Sequence, residues 1–188
     1  MSSPSSRRAF LTLLGCGTAA SALVRSKPAL ATLVRGLTLP EMVAQSARIV
    51  VVEPLDSHSH WQSIGGRRLI VTDTSVRVLD SLRADSAAEA QLVLRTLGGR
   101  IGDRSELVLG QPDFGTTGQG LAFLTRADDG VFWATGMAQG HFALSKEQVL
   151  SASRFLPTIM KWEHSAVKAL HGQKLATARG LVAGAAAK

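Results

Sequence analysis

The sequence is poor in cysteine and in aromatic residues. Its 188 residues include one cysteine, Cys16, and no tyrosine, and the aromatic fraction is 5%. A single cysteine excludes a disulfide-rich miniprotein and any zinc site built on paired cysteines. Charged residues make up only 19% of the chain. The sequence nevertheless lacks the repeated long apolar segments of a polytopic membrane protein. The hydrophobic fraction of 45% and the length predict one globular domain of ordinary size.

Signatures of common catalytic sites are also absent. The sequence has no H-E-x-x-H, no G-x-S-x-G elbow and no G-x-G-x-x-G after a predicted strand. Gly110, Gly115, Thr116 and Thr117 have the spacing of a phosphate-binding loop, but its lysine is missing, so we predict a hairpin loop there. An enzymatic activity is therefore less expected than a binding role, and no cofactor is assigned.

The formal net charge of +7 is unevenly distributed along the chain. Residues 1–31 carry net +4, residues 32–153 carry net −2, and residues 154–188 carry net +5. Because the central part is not basic, we predict no nucleic-acid partner. The basic C-terminal part favours instead an acidic envelope protein or an anionic surface as its partner.

The N-terminal segment resembles a twin-arginine (Tat) export signal. The matching residues are Ser6, Arg7, Arg8, Phe10 and Leu11, followed by a weakly apolar stretch and by an A-x-A cleavage site at Ala29 and Ala31. The resemblance implies the Tat machinery as a partner, residues 1–31 as a signal peptide, and a periplasmic or secreted product. A Sec signal and lipidation at Cys16, which follows a lipobox-like Leu13-Leu14-Gly15, are the alternatives.

The remaining chain shows mostly strand patterns. We predict a short helix over Leu39–Ser46, a buried strand at Ile49–Val52 stopped by Pro54, and one or two strands over Arg68–Leu82. Further predicted strands are Ala88–Leu97, Glu106–Leu109 and Met137–Leu144, with a hairpin at Asp129-Gly130. The fold prediction is a mainly β domain over residues 32–153, a small antiparallel barrel or sandwich with an OB-like variant, flanked by a short N-terminal helix.

The C-terminal part, residues 154–188, is predicted to be a helical basic tail. Ser145 resembles a helix N-cap, with Gln148 three residues later and Val149 on the apolar face. We expect the tail to dock on the β domain through about Leu170 and to be mobile beyond it.

From Val43 to Leu144 the order of motifs is similar to an uncharacterised group of small exported bacterial β-rich proteins. The motifs are Ile49-Val50-Val51-Val52, Ser59-x-Trp61, Arg68-Leu69-Ile70-Val71-Thr72, Gly98-Gly99-x-x-Gly102, Gln119-Gly120-x-Ala122-Phe123-Leu124 and Gly136-Met137-Ala138-Gln139-Gly140-x-Phe142. The resemblance implies an exported β-rich domain and brings no activity or catalytic residues with it.

His58 and His60 form the one constellation with metal-ligand character. In a strand, residues two apart face the same side, so both imidazoles could bind one metal, with His141 or Asp56 as a third ligand. The alternative is a solvated polar strand. Trp61 beside them is either a core anchor or an exposed platform for a ligand or glycan.

Three functions remain open from the sequence. The first is an exported non-enzymatic binding or accessory protein of the cell envelope. The second is a small metal-binding protein or metalloenzyme centred on His58 and His60. The third is an accessory subunit exported together with a Tat substrate.

Overall fold

The computed structural model describes residues 34–83, 90–151, 159–160 and 162–187 of the chain. The predicted export motif, the cleavage site at Ala29 and Ala31, and Cys16 lie outside these ranges. Within them, no helix has the length and apolar character needed to cross a membrane.

The described chain is mainly β, as the sequence predicted, with short helices near both of its ends. The strands are β1 (Val34–Arg35), β2 (Arg48–Ile64), β3 (Arg67–Ser81), β4 (Gln91–Leu97), β5 (Gly99–Ile101), β6 (Arg104–Glu106), β7 (Gly120–Arg126), β8 (Phe132–Ala134), β9 (His141–Ser145), β10 (Gln148–Ser151) and β11 (Ile159–Met160). The α-helices are α1 (Leu39–Gln45), α2 (Ala166–Leu170) and α3 (Leu175–Ala186), and single 3-10 turns occupy Met137–Gly140 and Trp162–His164.

Helix α1 forms where the sequence predicts it. Thr38 caps the helix by accepting from the Glu41 backbone N–H, and the Glu41 side chain accepts in return from the Thr38 N–H. Pro40 lies in the first turn, where its missing N–H is not needed. The helix buries Leu39, Met42 and Val43.

The longest strands of the main sheet, β2 and β3, form a hairpin. The sequence predicted that the strand would stop at Pro54, but β2 continues to Ile64. A register shift between Pro54 and Asp56 accommodates the proline, which has no backbone N–H to donate. The two-residue turn at Gly65 and Gly66 has φ values of 56° and 76°, a conformation that favours glycine at both positions.

The main sheet curls but does not close into a barrel. Its strand order is β10-β9-β7-β2-β3-β4-β8, and β8 also pairs with β7 beside Leu124 to Arg126. Strands β7, β2, β3, β4 and β8 therefore follow one another around the curl. Between β4 and β8, however, only Leu94 and Phe132 are paired, and β9 occupies the other half of the β7 edge. The predicted mainly β class with helices near both ends is confirmed, but the main sheet of the described strands is mixed, because β4 and β8 are parallel, and it is not a closed barrel.

Two apolar clusters lie on the two faces of this sheet. The inner cluster fills the curl and comprises Val50, Val52, Val76, Leu92, Leu94, Phe114, Ala122, Leu124 and Phe132. The outer cluster lies where the three α-helices cover the sheet, and it includes Met42, Ile49, Phe123, Phe142, Leu170, Ala178 and Val182. The helices thus cover the outer face of β2, β7 and β9.

Helix α3 is part of the packed structure. Ala178 and Val182 are 0% and 1% exposed, and Arg179 binds the Asp80 carboxylate and the Ser81 carbonyl. The expectation that the chain beyond Leu170 is mobile is therefore wrong, because small apolar side chains on α3 complete the outer cluster.

A second correction concerns residues 145–149. Instead of starting a helix, Lys146 and Glu147 form a tight turn with φ values of 47° and 67°. Ser145 pairs with Gln148 and Leu144 with Val149, so Val149 belongs to strand β10. Pairing with β9 thus prevails over the helix-cap pattern of the sequence. Two predicted strands are also shifted: β6 ends at Glu106, and β9 begins only after a 3-10 turn, at His141.

Candidate ligand-binding site

A cleft of about 1100 Å³ opens at one end of the curled sheet. Alternating side chains share a face of a strand, so the inner row of β3 runs from Val76 through Thr74 to Thr72. Val76 is in the inner apolar cluster, whereas Thr74 and Thr72 line the cleft. Strand β4 shows the same change from apolar to polar side chains, since Leu94 is in the inner cluster and Thr96 lines the cleft. The interior of the sheet therefore passes from an apolar core to a hydroxyl-lined mouth.

The hydroxyl groups of the mouth are paired across β2 and β3. Ser57 Oγ lies 2.9 Å from Thr74 Oγ1, and Ser59 Oγ lies 2.8 Å from Thr72 Oγ1. Thr72 Oγ1 donates to the Gly98 carbonyl at 2.8 Å, so the Ser59 hydroxyl must donate to Thr72. In the Ser57–Thr74 pair one hydroxyl donates to the other, which leaves one O–H for a ligand or water.

Gly99 allows the backbone of β5 to lie directly on this hydroxyl row. A Cβ at Gly99 would overlap Thr72 Oγ1 and lie 2.5 Å from Ser59 Oγ, and the residue has φ +133°. Any side chain at this position would displace the Ser59–Thr72 pair. The β5–β6 hairpin is thereby held over one side of the cleft.

His141 lies at the inner end of the cleft. It is 1% exposed, its ring centroid is 4.6 Å from that of Phe114, and it lines the cleft beside Ala138. Its Nδ1 atom is buried and has no hydrogen-bond partner among the described residues. Burial lowers the pKa of His141 to about 4, and the nearby carboxylate of Asp113 opposes this shift only in part. At neutral pH the ring is uncharged and offers one donor and one acceptor.

The carboxylates of the cleft are already hydrogen-bonded within the protein. Asp113 accepts from the backbone N–H groups of Gly115 and Thr116 and from the Thr116 hydroxyl. Glu106 accepts from the Ile70 N–H at 3.2 Å. Arg100 also lines the cleft, and its Nε donates to the Gly102 carbonyl at 3.0 Å. The other polar groups left for a ligand are mainly hydroxyls, the neutral imidazole and backbone amides.

The predicted metal ligands do not come together. The His58 and His60 rings are stacked with their centroids 6.1 Å apart, and His60 Nε2 lies 3.9 Å from Asp73 Oδ2. Asp73 faces away from Thr72 and Thr74 because neighbours in a strand point to opposite faces. His141 lines the cleft on the Thr72 side and so lies on the other face from the histidine pair.

Asp56, the other predicted third ligand, is exposed on β2. Among the residues that the structure describes, no group of three His, Cys, Asp or Glu side chains is arranged to hold a metal ion. The three-histidine site predicted from the sequence is therefore not formed in this part of the chain.

Arg95 is the buried charged residue that sequence reasoning missed. Its Nε and Nη2 atoms donate to Asp73 at 2.6 and 2.7 Å, and its Nη1 donates to Asp129 at 2.5 Å. The bonds to Asp73 raise the pKa of Arg95 above its ordinary value, against the effect of burial. This cluster holds β3, β4 and the β7–β8 turn together on the face opposite the cleft.

Comparison with known proteins gives no assignment: no protein-family model, no curated protein and no solved structure matches the chain. The chemistry of the cleft is therefore the basis for a functional proposal. A signal for the cleft was present in the sequence, since Thr72 and Thr74 alternate with other residues along a predicted strand, and Ser57 and Ser59 flank His58. That signal acquires meaning only when the β2–β3 register places the hydroxyls opposite each other.

His141 should make the stability of the protein depend on pH. Its pKa is about 4 in the folded protein and 6.5 as the ordinary value, so between these values the unfolded chain binds the extra proton. Stability from this group is complete above pH 6.5 and is lost as the pH falls towards 4. At about pH 5 the loss is about 2 kcal/mol, at roughly 1.4 kcal/mol per pH unit.

Urea unfolding of the wild type and of His141→Asn, each at two pH values, measures this effect. The wild type should lose about 2 kcal/mol more than the variant between about pH 7.5 and about pH 5. Equal losses in both proteins would show that His141 is accessible to protons in the folded state.

Proposed function

We propose that the protein is an exported, non-enzymatic binding protein of the cell envelope, and that its ligand occupies the cleft at the open end of the sheet. The observation that supports this most directly is the row of hydroxyls that lines the cleft, where the Ser57–Thr74 pair leaves one O–H for a ligand.

The ligand is an uncharged, polyhydroxylated molecule of the size of a short oligosaccharide. Hydroxyl groups recognise other hydroxyls well because each offers one donor and two acceptor positions. The neutral imidazole of His141 and the internally bonded carboxylates of Asp113 and Glu106 favour an uncharged ligand. The cleft volume of about 1100 Å³ is near the upper end of ordinary ligand pockets.

Calorimetric titration with cellotriose, maltotriose and chitotriose tests this proposal. We expect at least one of these neutral trisaccharides to bind, and Thr74→Val to weaken its binding about tenfold through loss of one hydrogen bond. Ser57→Ala removes the other hydroxyl of the same pair at an exposed position and should have a similar effect. Thr177→Val, on the exposed side of α3, is the matched control.

Two results would refute the cleft as a saccharide site. One is the absence of binding by all three trisaccharides to folded protein. The other is binding that Thr74→Val and Ser57→Ala leave as strong as it is in Thr177→Val.

Export is the second part of the proposal, and its support is the resemblance of Ser6 to Leu11 to a twin-arginine motif. Replacing Arg7 and Arg8 together by lysine should leave the full-length precursor in the cytoplasm, measured by fractionation and immunoblotting. Normal processing of that double variant would contradict the Tat route. A lipid-bearing mature N-terminus at Cys16 would replace cleavage after Ala31 by lipidation.

A further inference from the structure

Two arginines from different hairpins stack on Trp61. The guanidinium carbon of Arg68, on β3, lies 4.9 Å from the indole centroid, and that of Arg104, on β6, lies 5.9 Å from it. Trp61 itself is half-buried, and both arginines are exposed. The tips of the β2–β3 and β5–β6 hairpins therefore meet around one aromatic ring, which fixes the position of two positive charges.

These arginines keep their N–H groups available for an outside acceptor. A guanidinium over an aromatic face still directs its donors outwards in its own plane, where they suit phosphate oxygens. Arg67 and Arg100 are exposed at the same two hairpins.

Within the described part of the chain, these four arginines have no carboxylate at ion-pair distance. Of the other exposed arginines, Arg35, Arg77 and Arg179 each pair with a carboxylate, whereas Arg126 lies over Phe132 without one among the described residues. Against these four arginines the two hairpin ends contain two acidic residues, Asp103 in the β5–β6 turn and Glu106 at the end of β6. The surface therefore has an excess of positive charge that the described structure does not neutralise.

Apolar side chains adjoin this charge. Leu107, three residues after Arg104, is 82% exposed, and Leu109 is 61% exposed; they are the most exposed large apolar residues of the described chain. Leu107 and Arg100 line the same cleft rim. A surface that combines arginine, tryptophan and protruding leucine matches the boundary between lipid headgroups and acyl chains.

We propose that this hairpin surface, formed by Trp61, Arg67, Arg68, Arg100, Arg104 and Leu107, binds an anionic phospholipid bilayer. The arginines contact lipid phosphates, and Leu107 enters the headgroup boundary. A polar polyanion would satisfy the arginines but would leave Leu107 in water, so a lipid surface fits the residues better. The proposal does not depend on a saccharide ligand, although Arg100 and Leu107 also line the rim of the cleft.

Vesicle co-sedimentation of the full chain tests the proposal. The probes are vesicles of phosphatidylcholine alone and vesicles of equal parts phosphatidylcholine and phosphatidylglycerol. We expect binding to the anionic vesicles and a roughly thirtyfold loss in the Arg68→Gln/Arg104→Gln double variant, at about 1 kcal/mol per arginine near the surface. Leu107→Ser should weaken binding about tenfold and, because the side chain is exposed, leave the fold unchanged.

The matched control is Lys168→Gln/Lys174→Gln, which removes the same charge from exposed positions in the basic C-terminal part. This double variant should bind nearly as the wild type does, and any contribution from residues 1–33 is common to all the proteins compared. An equal loss in both double variants would overturn the hairpin assignment and favour the C-terminal part.

Two further measurements distinguish a lipid surface from a free anion and from a nucleic acid. Inorganic phosphate should not release the protein from the vesicles at matched ionic strength, and release would indicate a free-anion site instead. Tighter binding to a short single-stranded oligonucleotide, lost in Arg68→Gln/Arg104→Gln, would assign the surface to nucleic acid and overturn the lipid proposal.

Discussion

Deletion of residues 175–188 should lower the free energy of unfolding by about 4 kcal/mol. The deletion removes Val182 and Ala178, which are buried in the outer cluster, and Leu175, which packs against it. Full burial of one valine or leucine contributes about 1.5–3 kcal/mol, and the deletion also exposes the apolar atoms that α3 covers. Urea unfolding followed by circular dichroism measures the difference.

Point variants within α3 separate burial from helix propensity. Val182→Ser removes a buried side chain, whereas Leu181→Ser changes its neighbour, which is 39% exposed. We expect most of the destabilisation in Val182→Ser and little in Leu181→Ser. If the truncated chain unfolds at the same urea concentration as the wild type, α3 contributes nothing to the outer cluster in solution.

The weak apolar pattern of α3 explains why the sequence did not reveal its docking. Its buried residues, Ala178 and Val182, are small and stand among many other alanines and glycines, so one face hardly differs from the other. Helix α1 was predictable because Pro40 and the apolar residues that follow it are local signals. The β7–β8 hairpin was predictable for the same reason, from Asp129-Gly130 between two apolar runs.

Features that depend on pairing with distant strands could not be predicted in this way. The Lys146–Glu147 turn has positive φ values in residues that do not favour them, and the pairing of β9 with β10 imposes that geometry. Pro54 was interpreted as a strand end because its neighbour on β3 and the following bulge are not visible in one sequence.

In the candidate site, too, individual residues could be predicted from the sequence, but the cavity they form could not. His141 was a candidate residue, and it does line the cleft, but its chain neighbours gave no indication that Phe114 and Thr74 lie around the same cavity. The sequence predicts a metal pair at His58 and His60 because they are two residues apart, but the same strand alternation directs both side chains away from His141. Proximity along the chain thus identified the pair of His58 and His60, whereas only the register of β2 and β3 shows which side chains line the cleft.

Replacing Arg95 by methionine should lower the free energy of unfolding by about 3 kcal/mol. The Arg95 side chain is 8% exposed and makes a two-point contact with Asp73, so its loss leaves a partly buried carboxylate without a cation. The value is at the low end of the range for broken buried pairs because Asp129 is 46% exposed and water reaches it. Arg77→Met is the matched control on β3, since its ion pair with Glu53 is exposed and should contribute less than about 1 kcal/mol.

Arg95 also contributes to the weakly paired edge between β4 and β8. Strands β4 and β8 are joined by a single pair, Leu94 with Phe132, and Arg95 links the next position of β4 to Asp129 in the β7–β8 turn. We therefore expect faster amide hydrogen exchange in β8 of Arg95→Met than in β8 of Arg77→Met. Adding Asp73→Leu to Arg95→Met should recover part of the lost stability, because the unpaired charge is removed. If the double variant is less stable than Arg95→Met by the full effect of Asp73→Leu alone, Arg95 and Asp73 do not interact in solution.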